Sequence, residues 1–259
     1  MNIKRIFIFF ILLSRIFASG PLTHLYMLIR CSSGNCWDGF GTFKYSSGDT
    51  YTGSWERGKL KEGTYTYNSW LWIFRGVTKK SSYTGEFQNN KLHGQGTFIW
   101  SYGASYTGSF YRNKLNGQGT YISAKSNSYS GNFKTGKPHG QGESVIARGK
   151  WAGKYSGTHK NGKISGKGVY WYTNGNRYEG DFKNNTLYGQ GTFYYSNGNR
   201  YEGGWKKNKK SGFGVFYYKN GSSYTGEWKN NKFHGRGTFT YSYGKKLTGR
   251  WKKNHFVGK

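Results

Sequence analysis

The chain has 259 residues, with 40 Lys+Arg against 10 Asp+Glu for a formal net charge of +30; 34% of it is apolar, 20% is aromatic and 42 residues are glycine. Leu, Ile and Val are too scarce for the thick aliphatic core of an ordinary globular domain, so burial must come from large rings laid over glycines. The charge disfavours basic partners and points to polyanions: anionic lipid, nucleic acid or an acidic protein surface.

In chain order, residues 1–20 read as a secretory signal peptide. Lys4 and Arg5 form a basic start, Ile6 to Leu13 an apolar run, and Ala18 and Gly20 offer small residues for cleavage. Arg15 interrupts that pattern and Leu22 to Ile29 adds a second apolar patch. An uncleaved membrane-associated segment and a buried cap for the array therefore stand as alternatives. The run falls short of the roughly 20 apolar residues that a spanning helix needs. Localisation follows from this segment: the secretory pathway or a membrane if the signal works, the cytoplasm otherwise. Residues 21–37 read as a linker holding Cys31 and Cys36, which in an oxidising compartment would close a small disulfide loop. Two cysteines do not make a structural zinc site, and the expectation is no metal and no other cofactor.

From residue 38 to 259 the chain is an array. Irregular first units occupy 38–82. Regular 23-residue units fill 83–246, opening at Tyr83, Tyr106, Tyr129, Tyr155, Tyr178, Tyr201 and Tyr224, with three residues inserted near Gly149–Gly153. A truncated unit follows over 247–259. It is expected to offer the strand Leu247–Trp251 and to stop before a second strand forms, leaving an open sheet edge for self-association guarded by Arg250, Lys252, Lys253 and Lys259. A fixed period of this size marks a one-dimensional array in which each unit contacts mainly its neighbours.

The unit from Tyr178 to Arg200 shows what one period builds. Tyr178, Gly180 and Phe182 alternate with Glu179 and Asp181, the period of two that marks a half-buried strand. Lys183-Asn184-Asn185-Thr186 carries turn chemistry, because Asn tolerates left-handed backbone. Gly189, Gly191, Phe193 and Tyr195 alternate again as a second strand, and Ser196-Asn197-Gly198-Asn199 is a second turn. Each repeat is thus one hairpin, and the predicted fold is all-β: an extended single-layer antiparallel sheet of stacked β-hairpin repeats. On this reading the glycines sit on the ring face and leave room for rings to lie across neighbouring strands.

No catalytic constellation emerges, and the chain reads as a non-enzyme. His93, His139 and His234 share one repeat position, so their copies stand whole repeats apart, about 10 Å, too far to share a metal. Gly-x-Gly enters a strand here, without the helix that phosphate-binding glycine loops require. Two surfaces are candidate sites. The first is a basic turn edge of Lys134, Lys137, Lys160, Lys163, Lys183, Lys206, Lys209, Lys229 and Lys232, with Lys91 and Lys114 as single members. The second is an aromatic partner groove of Tyr178, Phe182, Phe193, Tyr201, Trp205, Tyr224 and Trp228.

These units resemble the MORN repeat (membrane occupation and recognition nexus). Tyr201-Glu202-Gly203-Gly204-Trp205 and Tyr224-Thr225-Gly226-Glu227-Trp228 fit the first half of its Y-x-G-x-W pattern. Gly212-Phe213-Gly214 and Gly235-Arg236-Gly237 fit the second half. The resemblance covers about residues 38–259. It implies a single-layer twisted sheet and a role in scaffolding, peripheral membrane attachment or docking of a partner segment. No catalytic domain accompanies the repeats, so the activity of enzymatic relatives does not carry over. The function expected is a non-catalytic scaffold or adaptor that binds an acidic protein segment or an anionic phospholipid surface. Alternatives are a purely structural self-assembling protein and an accessory targeting subunit of a lipid-modifying enzyme. Nucleic acid suits the charge, but no nucleic-acid motif supports it.

Overall fold

The computed structural model describes residues 31–68, 80–149 and 151–259. The expected signal peptide and the first part of the linker lie outside the described residues. The described chain has no helix and is an antiparallel array of hairpins, as the alternation predicts, with strands running from β1 (Cys31–Gly34) to β20 (His255–Gly258). It divides into two compact units, one up to Gly142 and one from Glu143 to Lys259. Within each unit, extensive contact between elements is contact between chain neighbours, as expected of an array.

The register explains the repeat. In β13 (Arg177–Lys183) and β14 (Thr186–Tyr194), Tyr178 faces Phe193 and Gly180 faces Gly191; a β-bulge follows, and Phe182 then faces Leu187. The same break recurs between β15 (Arg200–Lys206) and β16 (Lys209–Tyr217), where Gly203 faces Gly214 and Trp205 faces Lys210. It recurs again between β17 (Ser223–Lys229) and β18 (Lys232–Thr240). The two glycines of Gly-x-Gly do different work. Gly189 takes φ +66°, the left-handed backbone that a bulge demands and a side chain resists. Gly191 is extended, and a Cβ there would run into the Tyr178 ring and hydroxyl. Only the second glycine makes room for a ring.

The tyrosines that open the units are the most deeply buried residues. Tyr83 and Tyr106 in the first unit, and Tyr155, Tyr178, Tyr201 and Tyr224 in the second, are fully buried. Each hydroxyl donates into its own bulge: Tyr178 to the carbonyl of Asp181 at 3.1 Å and Tyr201 to that of Gly204 at 3.1 Å. Edge-on contacts tie successive repeats together, with Tyr178–Trp205 at 5.5 Å and Tyr201–Trp228 at 5.0 Å between ring centres. The indole N–H groups of Trp205 and Trp228 donate back to the carbonyls of Gly191 and Gly214 at 3.1 Å. Burying one such ring contributes about 1.5–3 kcal/mol.

Both ends of the array depart from the sequence reading. Residues 31–34, assigned to the linker, form β1, which pairs with β2 (Gly39–Lys44) through Cys31↔Phe43 and Gly34↔Gly41. Cys31 and Cys36 are joined by a disulfide, with Cα atoms 5.8 Å apart. At the other end β20 does form a second strand, pairing Trp251↔Phe256 and Lys252↔His255 with β19 (Lys246–Lys252). The reason is a two-residue turn. Lys253 and Asn254 take φ +53° and +73°, so the chain reverses at once and four residues are enough to pair.

Candidate functional site

The lysine edge is built by turn geometry. In each hairpin the two central residues have positive φ, as at Asn184 (+50°) and Asn185 (+64°), Lys207 (+50°) and Asn208 (+64°), and Asn230 (+53°) and Asn231 (+70°). These are the primed two-residue turns that match strand twist. The second turn residue also clamps the preceding repeat. The side-chain oxygen of Asn208 accepts from the Leu187 N–H at 2.7 Å while its own N–H donates to the Leu187 carbonyl at 3.1 Å. Asn185 does the same to Ile164, and Asn231 to Lys210.

On this fixed edge the lysines stand exposed. Lys160 faces Lys163, Lys206 faces Lys209 and Lys229 faces Lys232 directly across their hairpins, while Lys183 faces Thr186. These seven lie in the second unit; Lys134 and Lys137 flank the corresponding turn of the first. Among the described residues none of the nine ion-pairs with an acid, although Lys183 Nζ lies 5.1 Å from the Tyr188 ring centre. Like charges opposite one another in a sheet destabilise it, so the edge is a row of uncompensated cations. At two strand spacings per repeat the pairs recur every ~9.6 Å.

The proposed partner groove is placed differently. Tyr178, Phe182, Tyr201, Trp205, Tyr224 and Trp228 are all buried, packed on one another and on the glycines, so they are core and offer no open groove. Only Phe193 is half-buried. It belongs to a second row of rings that alternation alone does not separate from the first: Tyr172, Phe193, Tyr195, Phe216, Tyr218 and Phe239, tilted against one another with ring centres 4.5 to 5.8 Å apart. All of these except Phe216 keep part of their surface open. This stripe lies at the far end of the hairpin from the lysines. From Thr186 to Phe193 along β14 is about 23 Å at ~3.3 Å per residue, so the lysines and the rings form two separate surfaces.

Two residues were not marked by the sequence reading, although aligning the repeats would have exposed them. Lys210 stands where other repeats carry Leu92, Leu115, Ile164, Leu187 and Phe233. Its ammonium lies 4.2 Å from the centre of Phe216, 4.7 Å from Trp228, 5.2 Å from Tyr201 and 5.4 Å from Tyr195. Burial among these rings pushes its pKa down to about 8, while cation–π attraction offsets part of the cost of the charge. His159 occupies the ring slot of Phe182 and Trp205. It is buried, with Nε2 2.8 Å from Ser144 Oγ and Nδ1 3.2 Å from the Gly157 carbonyl, and burial lowers its pKa to about 4.

No curated protein matches the chain by sequence. The MORN repeat family does match, over residues 37–50, 83–104, 106–128, 129–150, 155–177, 178–200, 201–223 and 224–244. Each match from residue 83 onward opens on a buried tyrosine or its equivalent slot, so the family pattern and the packing unit coincide. MORN repeats are generally scaffold modules that bind proteins or lipids and are typically non-enzymatic. Eight matches, on an antiparallel array of hairpins with tyrosines seated over glycines, make this chain a member of the MORN-repeat family.

Proposed function

We propose that this protein is a non-catalytic scaffold whose lysine edge in the second unit holds an extended acidic protein segment. What supports the reading is the register: Lys160/Lys163, Lys206/Lys209 and Lys229/Lys232 are like charges set face to face, the last two pairs on turns clamped by Asn208 and Asn231. A partner that brings carboxylates to this row removes the repulsion. A segment in extended conformation advances ~3.3 Å per residue, so an acidic side chain about every third residue would meet successive pairs. Each exposed charge contact is worth under about 1 kcal/mol, so binding is cumulative and salt-sensitive.

The test is titration of the full chain with a fluorescent poly-glutamate peptide, and separately with vesicles containing phosphatidylserine, at low and at physiological salt. Changing Lys206, Lys209, Lys229 and Lys232 together to Glu should weaken peptide binding at least tenfold. Affinity that survives this change, or that does not fall with salt, overturns the reading. Stronger capture by vesicles than by peptide would transfer the site to an anionic membrane surface.

A further inference from the structure

On the face of the second unit opposite the rings, two of the four strand arginines are neutralised within their own strand. Arg177 pairs with Glu179 and lies over the Tyr194 ring, and Arg200 pairs with Glu202 at 3.0 Å and lies over Tyr217. Arg236 and Arg250 are not so neutralised. They are exposed, face each other directly across β18 and β19, and have no ion-pair partner among the described residues. Directly opposed residues carry their Cβ atoms about 5 Å apart. In β13 and β17 the position of Arg250 is filled by Asp181 and Glu227, whose carboxylates accept the backbone N–H of Gln190 and Arg236. Glu227 is thereby folded against Gly235; it faces Phe213 across β16 and β17 and forms no ion pair with either guanidinium group.

The two arginines border a basin of about 520 Å³ whose lining also includes Thr225, Thr238, Thr248, Lys259 and Phe213. The hydroxyls of Thr238 and Thr248 are hydrogen-bonded at 3.0 Å. Phe213 is 64% exposed, in the Gly-x-Gly slot that holds Gln95, Gln118 and Gln190 elsewhere. An apolar ring on a polar face, beside two unpaired guanidinium groups and a lysine, calls for a ligand that is planar at one end and multiply anionic at the other.

We infer that this basin binds a nucleoside polyphosphate, with the base against Phe213 and the phosphates between Arg236 and Arg250. Planar guanidinium forks match phosphate oxygens in pairs, and every base has a face that stacks on an aromatic ring. The spacing selects the class. Phe213 lies two strands from Arg236 and three from Arg250, about 10 and 14 Å. That span suits a base and its terminal phosphates separated by a ribose, and it is too long for a phosphate attached directly to a ring. The site lies on the other face from the rings and does not depend on the lysine edge.

Calorimetric titration of the full chain with ADP, pyrophosphate and adenosine tests the assignment. ADP should bind. R236Q/R250Q should weaken ADP at least tenfold, while K229Q/K232Q, which removes the same charge, should leave it within twofold. F213S should weaken ADP severalfold and leave pyrophosphate unchanged. Equal losses in the two double variants would mean attraction to overall charge alone and would overturn the site, as would an F213S protein that binds ADP like the wild type, or an absence of ADP binding. All substituted side chains are exposed, so folding should survive, with circular dichroism as the check. A wild-type protein that binds ADP but not the poly-glutamate peptide would sink the scaffold reading and leave this one standing.

Discussion

At the scale of single residues, the informative positions are those where a repeat breaks its own rule. Lys210 carries an ammonium into a slot built for Leu or Phe, and its pKa is lowered to about 8 from about 10.4 in an unfolded chain. Between those values the unfolded state binds more protons than the folded one, so stability rises with pH across the window. Lys210→Met removes the half-buried charge. It should raise the melting temperature at pH 7 by about 2–4 °C, and the gap to wild type should narrow by pH 9.5. A gap that ignores pH would mean the ring box does not penalise the charge. His159 behaves as the acid-side counterpart. Its folded pKa of about 4 lies below the ordinary 6.5, so stability is lost as pH falls from 6.5 to 4. His159→Phe, which restores the ring found at Phe133 and Phe182, should flatten the acid limb of a melting-temperature profile taken from pH 7 to pH 4.

At the scale of the hairpin, stability resides in the contact of tyrosine with glycine and in the asparagine clamp. Replacing Gly191 or Gly214 by Val puts a branched side chain where the Tyr178 or Tyr201 ring lies. Overpacking of this kind costs about 1–3 kcal/mol, whereas Lys183→Ala on the exposed edge should change little. Thermal melts that rank these variants the other way would refute the packing account. Asn208→Ala leaves the buried Leu187 N–H without its 2.7 Å acceptor, a loss of about 1–3 kcal/mol. Denaturant titration should register it as a lower midpoint with an unchanged slope.

At the scale of the whole molecule, charge dominates. A chain with net charge +30 opposes its own compaction by self-repulsion, and added salt relieves this as the screening length falls to about 8 Å at physiological ionic strength. Melting temperature should therefore rise with salt while affinity for the acidic peptide falls. The two trends separate the energetics of the fold from those of the edge, and scanning calorimetry beside binding curves over one salt series reads both. A melting temperature that falls with salt would show that ion pairs such as Lys154–Glu143 at 2.9 Å outweigh the repulsion.

Period and alternation were enough to determine that each unit is a hairpin, where its turns fall, and that tyrosine and glycine share a face. These are local consequences of a two-residue side-chain period and of turn chemistry written into every repeat. Which glycine is strained and which yields space was decided only in the folded sheet, because the bulge sets three residues, Tyr188 to Gln190, against Asp181 alone. Tertiary packing also closed the expected groove, since Tyr178, Tyr201 and Tyr224 fill their surroundings with rings from the next repeat and leave only the Phe193 row half open. The lysine edge was legible as a spacing, but the face-to-face pairing of its charges required the register. The Arg236–Arg250 pair was not legible at all: the two residues are fourteen apart in sequence, and only strand pairing sets one guanidinium against the other without an acid between them.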